Sequence, residues 1–260
     1  MLYKDAVKPA FAATAEGPST VDPAEIARFS RLAEEWWKPD GAFKLVHAFN
    51  AARVSYLCDR LPALVGRDAA ANLPLAGLEI IDVGCGAGIV TEPLSRLGAD
   101  TLGIDASERN VLVAADHARR QSALVAYRHA LPEDLVAEGE RADIVLTLEV
   151  VEHVADLGRF VGHVAELVRP GGILVIGTLN RTLTSFVKAI IGAEYILGWL
   201  PRGTHDWRRF VKPAELEALL APHRFSPLET VAVELNPLTM RWRIGGRPST
   251  NYLQIYRRMP

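Results

Sequence analysis

Cysteine is nearly absent from this sequence: Cys58 and Cys85 are the only two among 260 residues. Two thiols so placed build no disulfide framework, and their scarcity points to a reducing compartment. A basic excess is missing as well. Lys and Arg number 29 against 31 Asp and Glu, a formal net charge of −2, which argues against a general nucleic-acid binder. No run reaches the roughly 20 uncharged apolar residues that a spanning helix needs. The opening residues, MLYKDAVKPAFAATAEG, lack the continuous apolar stretch of a secretory signal. These absences lead us to expect a cytoplasmic protein that at most rests on a membrane surface.

What is present is an ordinary globular composition, 49% hydrophobic and 23% charged, in a chain long enough for one decorated α/β domain. Residues 1–21 are rich in Ala, Gly and Pro and are expected to be disordered. The domain is expected over residues 22–260, beginning with a helical cap at 22–66. Asp22 and Pro23 suit an N-cap and a first turn. Ile26, Phe29, Leu32 and Ala33 continue an apolar face toward Trp36 and Trp37, the segment KPDG interrupts it, and a second helix is expected from Phe43 to Leu64. The Trp pair reads first as packing of this cap on the sheet and second as a lid over a ligand.

Short apolar runs then alternate with helical stretches. Strands are predicted at Leu78–Val83, Thr101–Ile104, Leu124–Arg128, Ile144–Leu148 and Ile173–Thr178, with helices near Ile89–Leu97, Glu108–Gln121 and Leu157–Val168. Two more strands are predicted near Leu228–Leu235 and Tyr252–Arg257. Such alternation implies a doubly wound, mostly parallel sheet covered on both faces.

The run LEIIDVGCGAG (Leu78–Gly88) carries a strand into a glycine-rich turn. Gly84, Gly86 and Gly88 allow a sharp bend and close approach to a ligand. Ile89 stands where the dinucleotide fingerprint wants glycine, and the Lys-Ser/Thr of a phosphate-binding loop is missing. Asp82 before the turn suits a ligand with ammonium and sulfonium charge and disfavours pyrophosphate. Asp105 ends the next strand, where a carboxylate can accept ribose hydroxyls.

The fourth strand ends in LEVVEHV, with Glu149, Glu152 and His153 at helical spacing i, i+3 and i+4. Two carboxylates and an imidazole on one face make a candidate site for Mg²⁺, Mn²⁺ or Zn²⁺. His205, in GTHDW, is a further candidate, as metal ligand or general base. The bland alternative is that the acids cap a helix and His153 packs.

Taken in order, WWKPDGAFKLVHAFNAAR, DVGCGAG, LEVVEHV, LNRT, GAEYILGWLPRGTHDW, VKPAEL and NPLT resemble the ubiquinone-biosynthesis O-methyltransferases. LEIIDVGCGAG by itself resembles the first signature of class I S-adenosylmethionine-dependent methyltransferases. The resemblance implies a seven-stranded sheet with its last strand inserted antiparallel. It implies S-adenosylmethionine with Gly84 near the methionine moiety, Asp105 on the ribose, Leu148 beside the adenosine and Arg53 reaching the carboxylate. It further implies metal-assisted O-methylation of polyprenylated catechol-type rings at two steps of the pathway, and association with that pathway's other enzymes. Lys38, Ala51 and Ala87 depart from the family's usual residues.

An apolar insertion is expected at about 181–203. Within it Leu183, Phe186, Val187, Ile190, Ile191 and Tyr195 follow helical spacing, while Ile196, Leu197, Trp199 and Leu200 lie off that stripe. The stripe taken alone reads as a core helix. Apolar on most sides yet charged at Lys188 and Glu194, residues 183–200 also suit a surface-seated membrane contact that collects a prenylated substrate, peripheral to the cytoplasmic membrane. Two other functions compete: a metal-dependent ribose 2′-O-methyltransferase acting on RNA, and a non-catalytic scaffold. The acidic balance opposes the first, and the coincidence of Gly84, Asp105 and the ExxEH cluster opposes the second.

Overall fold

The structure, a computed structural model, describes residues 20–37, 44–186, 206–236, 239 and 241–260. Five parallel strands form its first half: β1 (Glu79–Val83), β2 (Asp100–Asp105), β3 (Ala126–His129), β4 (Ala142–Leu148) and β5 (Val168–Leu179). Three strands complete the sheet: β6 (Phe225–Asn236), β7 (Arg241–Ile244) and β8 (Asn251–Arg258). The order is β3-β2-β1-β4-β5-β8-β6-β7, with β8 antiparallel to both β5 and β6. The implied antiparallel insertion is therefore present, but the sheet has eight strands where seven were expected. The extra strand is β7, a four-residue edge strand whose RWRI alternation half-buries Trp242 and Ile244 and exposes both arginines.

Period-two alternation divides the strands' side chains between two cores. Ile81, Val83, Val145, Leu174 and Ile176 pack with Phe160, Val161 and Val164 of α6 (Leu157–Leu167) and Leu216 and Leu220 of α8 (Pro213–Leu220). Ile80, Ile144, Leu146, Ile173 and Val175 pack on the other face with Leu57 and Leu61 of α2 (Lys44–Leu64) and Leu94 of α3 (Thr91–Ser95). Burial on both faces is what the continuous apolar runs demand.

Helix α1 (Pro23–Leu32) starts as expected, the Asp22 side chain accepting from the Ala24 amide at 3.0 Å. Ser107 caps α4 (Glu108–Arg120) in the same way, through the Asn110 amide. The helix α5 (Pro132–Ala137) was not foreseen, because six residues are too few to display a helical period. Thr20 and Val21, assigned from composition to the disordered start, are anchored: Thr20 is buried with its hydroxyl on Glu133, and Val21 bridges Val154. The rest of that start, residues 1–19, lies outside the described residues, as does most of the expected insertion. Of the latter only residues 181–186 are described: Arg181 (paired with Glu215), Thr182, a turn of helix α7 (Leu183–Ser185) and the exposed Phe186. Among the described residues no helix is long and apolar enough to cross a membrane.

Candidate active site

The glycine turn leaves β1 at the carboxyl end of the parallel strands, where folds of this kind bind ligands. Gly84, Gly86 and Gly88 all take positive φ, between 54° and 84°. At Gly84 a Cβ would lie 2.3 Å from Val150 Cγ2, and at Gly88 it would lie 2.1 Å from the Tyr127 hydroxyl. No other residue fits either place without displacing a neighbour. The amides of Gly84 and Cys85 both donate to the Ile104 carbonyl, at 2.8 and 2.9 Å, locking the turn to β2.

Two acids brace this turn. Asp82 is buried beneath it and accepts from the Thr91 hydroxyl at 2.6 Å. Burial pushes its carboxyl up to about 6, with the nearby Asp105 adding to the rise and Thr91 opposing it. Asp105 accepts from the Gly86 amide through Oδ2 at 2.9 Å and from the Ser107 amide through Oδ1 at 2.8 Å. It thus ties the turn to the start of α4 while keeping lone pairs for a ligand's hydroxyls. Leu148, at the end of β4, is buried in the core on the α2 face.

Arg53, on α2, is only 3% exposed, and burial lowers its pKa against the pull of Glu149, Glu152 and Asp82. Its Nη1 donates to Glu149 Oε1 at 2.8 Å, its Nη2 donates to Asn50, and its guanidinium stands 3.9 Å over the Phe49 ring. Its buried Nε has no hydrogen-bond partner. That open donor suits the ligand carboxylate the resemblance assigns to it.

Glu149, Glu152 and His153 share the loop after β4 but do not form the helical face that their spacing suggested. Glu149 takes a left-handed backbone, φ 57°, with its amide on the Gly177 carbonyl at 2.8 Å, so the chain breaks from helical geometry at once. Each side chain then meets a different partner. Glu149 pairs with Arg53, and its Oε2 accepts from Asn251 Nδ2 at 3.4 Å. Glu152 is 4% exposed and accepts from the Thr178 hydroxyl at 2.7 Å, burial raising its carboxyl to about 7. His153 lies 2.8 Å from Glu25 Oε2 and edge-on to Phe29, both on α1, and burial lowers its pKa against the pull of Glu25. Among the described residues no three His, Cys, Asp or Glu side chains converge as they stand to hold a metal ion. The donor types, two carboxylates and an imidazole, nonetheless suit a divalent cation. His205 lies outside the described residues.

Sequence reasoning missed the residues that hold these groups: Thr178 and Asn251, from β5 and β8, and Glu25, from α1. Their signal is three-dimensional, since only the sheet order brings β8 beside β5. The tryptophans' place on the sheet is also more specific than the sequence showed. Trp37 donates from Nε1 to the Ala87 carbonyl at 3.0 Å, and Trp36 lies against Gly86. Both sit on the glycine turn at the end of β1, where they pack the cap against the cofactor loop.

The methyltransferase-domain family matches residues 51–228. Among solved structures, the magnesium protoporphyrin IX methyltransferase of Synechocystis with bound S-adenosylmethionine has a TM-score of 0.60 at 19% identity, covering 93% of this chain and all of that one. The N-methyltransferase NodS of Bradyrhizobium japonicum with S-adenosylhomocysteine also scores 0.60, at 16% identity, covering 90% and 97%. Fold and glycine turn together define an S-adenosylmethionine-dependent methyltransferase of class I. Relatives named ubiquinone biosynthesis O-methyltransferase are much closer in sequence. That of Mesorhizobium japonicum is 48% identical, over 91% of this chain and 95% of its own. Those of Azorhizobium caulinodans and Caulobacter vibrioides are 46% and 47% identical, covering 91% and 93% of this chain and 94% and 96% of theirs. The chain belongs to the ubiquinone-biosynthesis O-methyltransferase family.

Proposed function

We propose that this chain methylates a ring hydroxyl of polyprenylated catechol-type intermediates, at both O-methylation steps of ubiquinone assembly. The observation that carries this reading is the 46–48% identity to the relatives so named, over more than nine-tenths of the chain. The placement of acids, imidazole and guanidinium at one strand edge beside the glycine turn supports it.

Methyl transfer is an in-line displacement. A lone pair of the acceptor oxygen forms the bond to the methyl carbon, the carbon–sulfur bond breaks, and its electrons go to sulfur, leaving S-adenosylhomocysteine. The hydroxyl proton must leave as the oxygen attacks, so alignment and proton removal are the protein's tasks. The glycine turn and Asp105 hold the cofactor's methionine and ribose ends, and Arg53 holds its carboxylate. Asp82 offsets the cofactor's positive charge from below. Glu149, Glu152 and His153 border the acceptor's place, and the helix α1 over His153 keeps water from that side.

The proposal extends to a divalent ion, Mg²⁺, Mn²⁺ or Zn²⁺, held by Glu149, Glu152 and His153. Held there, such an ion would supply Lewis acidity toward the acceptor's hydroxyl and a preference for a catechol over an isolated phenol. Loading it would draw the three side chains together from where Arg53, Thr178 and Glu25 now hold them. The proposal also places residues 183–200 on the cytoplasmic membrane surface, where a prenyl tail resides; Leu183 and Phe186 are exposed apolar residues at its start. Chelator treatment that abolishes turnover, with recovery on restoring one metal, supports the ion. Full turnover in chelator-treated Glu152→Ala or His153→Ala enzyme refutes it and returns the three side chains to positioning roles.

A further inference from the structure

Helix α4 carries a group that none of the preceding roles uses. His117 Nδ1 is hydrogen-bonded at 2.7 Å to Oε1 of Glu92, a carboxylate on α3 that is 2% exposed. The imidazole's face lies flat on the Trp37 indole, centroids 3.4 Å apart and planes inclined by only 3°. His47, on α2, stands on the same indole with centroids 6.1 Å apart. Trp37 meanwhile donates to the Ala87 carbonyl inside the glycine turn. One side chain therefore joins α2, α4 and the cofactor turn, and the imidazole that orients it is itself oriented by a buried acid.

We infer that Glu92 and His117 are positioning residues for S-adenosylmethionine, acting through Trp37 as a latch that closes the N-terminal segment over the cofactor. Four features support a role beyond joining α3 to α4. A parallel stack fixes the indole's plane, and the Nε1–H bond fixes its rotation about that plane. The acceptor of that bond is the backbone of the turn itself. Trp36 follows the latch onto Gly86, where a Cβ would stand 3.6 Å from its ring. Glu92 is held where a buried carboxylate is costly unless partnered; Arg96 reaches its Oε2 at 3.8 Å, and His117 makes the short contact at Oε1. Releasing His117 frees Trp37 to swing off the turn and uncovers the cofactor.

The inference rests on the cofactor lying on the glycine turn. It is tested by calorimetric titration of the full chain with S-adenosylhomocysteine, for the wild type and for Trp37→Ala, His117→Ala, the double variant and Asp105→Ala. The latch predicts that Trp37→Ala and His117→Ala each weaken binding about tenfold or more, which is 1.4 kcal/mol or more. The double variant falls no further than the weaker single one, because both break one device. The KM for a short-prenyl catechol stays within about twofold at saturating cofactor, since the latch is remote from the acceptor. Unchanged affinity in His117→Ala, or additive losses in the double variant, overturns the latch. Asp105→Ala with full affinity removes the cofactor from the turn and the latch with it. Absent turnover on catechols, with the affinity pattern intact, counts against the substrate reading alone.

Should Trp37→Ala fail to fold, hydrogen exchange of the wild type and His117→Ala decides. S-adenosylhomocysteine is expected to protect residues 30–37 and 84–88 in the wild type. In His117→Ala it protects 84–88 alone, and protection of both segments there contradicts the latch.

Discussion

Arg53 and Glu149 form a 2.8 Å ion pair between α2 and the end of β4, and the acid that completes it sits in a left-handed backbone. A buried guanidinium has few ways to be neutralised, so the pair fixes where α2 stands over the strand ends. A non-glycine residue at positive φ is strained, and such strain is common where a side chain must be aimed.

Removing Glu149 strands the cation. Glu149→Ala is expected to lower stability by about 2–3 kcal/mol, and replacing both partners by Met to recover much of that. Urea unfolding checks it. A double variant as unstable as the single one shows that the pair is not what sets the loss.

Asp82 makes stability depend on pH. Its carboxyl is raised to about 6 in the fold, against roughly 3.9 when unfolded. The charged form therefore costs stability above pH 6, a penalty that shrinks as pH falls through 6 and is gone near 4. Asp82→Asn is expected to melt at a higher temperature than the wild type at pH 8, with the gap about half as large at pH 5 and closed near pH 4. A gap that widens on acidification reverses the sign and refutes the assignment.

The same acid couples to the ligand. A cation bound above Asp82 favours its charged form, so S-adenosylmethionine binding at pH 6 is expected to release a fraction of a proton. Calorimetry in two buffers of different ionisation enthalpy measures this. In Asp82→Asn the release should disappear and affinity should fall.

Gly84→Ala meets both the positive φ of 78° and Val150 Cγ2 at 2.3 Å. Cofactor affinity is expected to drop at least tenfold, with about 1–3 kcal/mol of stability lost. Gly84→Ala with Val150→Ala removes the clash and leaves the backbone strain, so recovery should be partial. Full recovery assigns the whole effect to the side chain.

Much of the fold could be read in the chain because burial on both faces leaves apolar runs at Ile144–Leu148 and Ile173–Thr178, and Gly and Asp punctuate the strand ends. Asp82, Gly84 and Asp105 were legible for the same reason: a strand running into a turn fixes their place along the chain. The ExxEH segment misled because spacing assumes a helix, and Glu149's backbone leaves helical geometry at its first residue. Trp37, His117 and Glu92 were invisible as a group, since 80 residues of chain do not announce a stack. Asn251 joined the site only through the insertion of β8 beside β5.

The most direct test of the central claim follows labelled methyl from S-adenosylmethionine to a short-prenyl catechol, with RNA 5′ ends as the competing acceptor. The account predicts a singly O-methylated catechol and no label on RNA. Label on RNA, or cofactor binding with no methylated catechol under any metal, contradicts it.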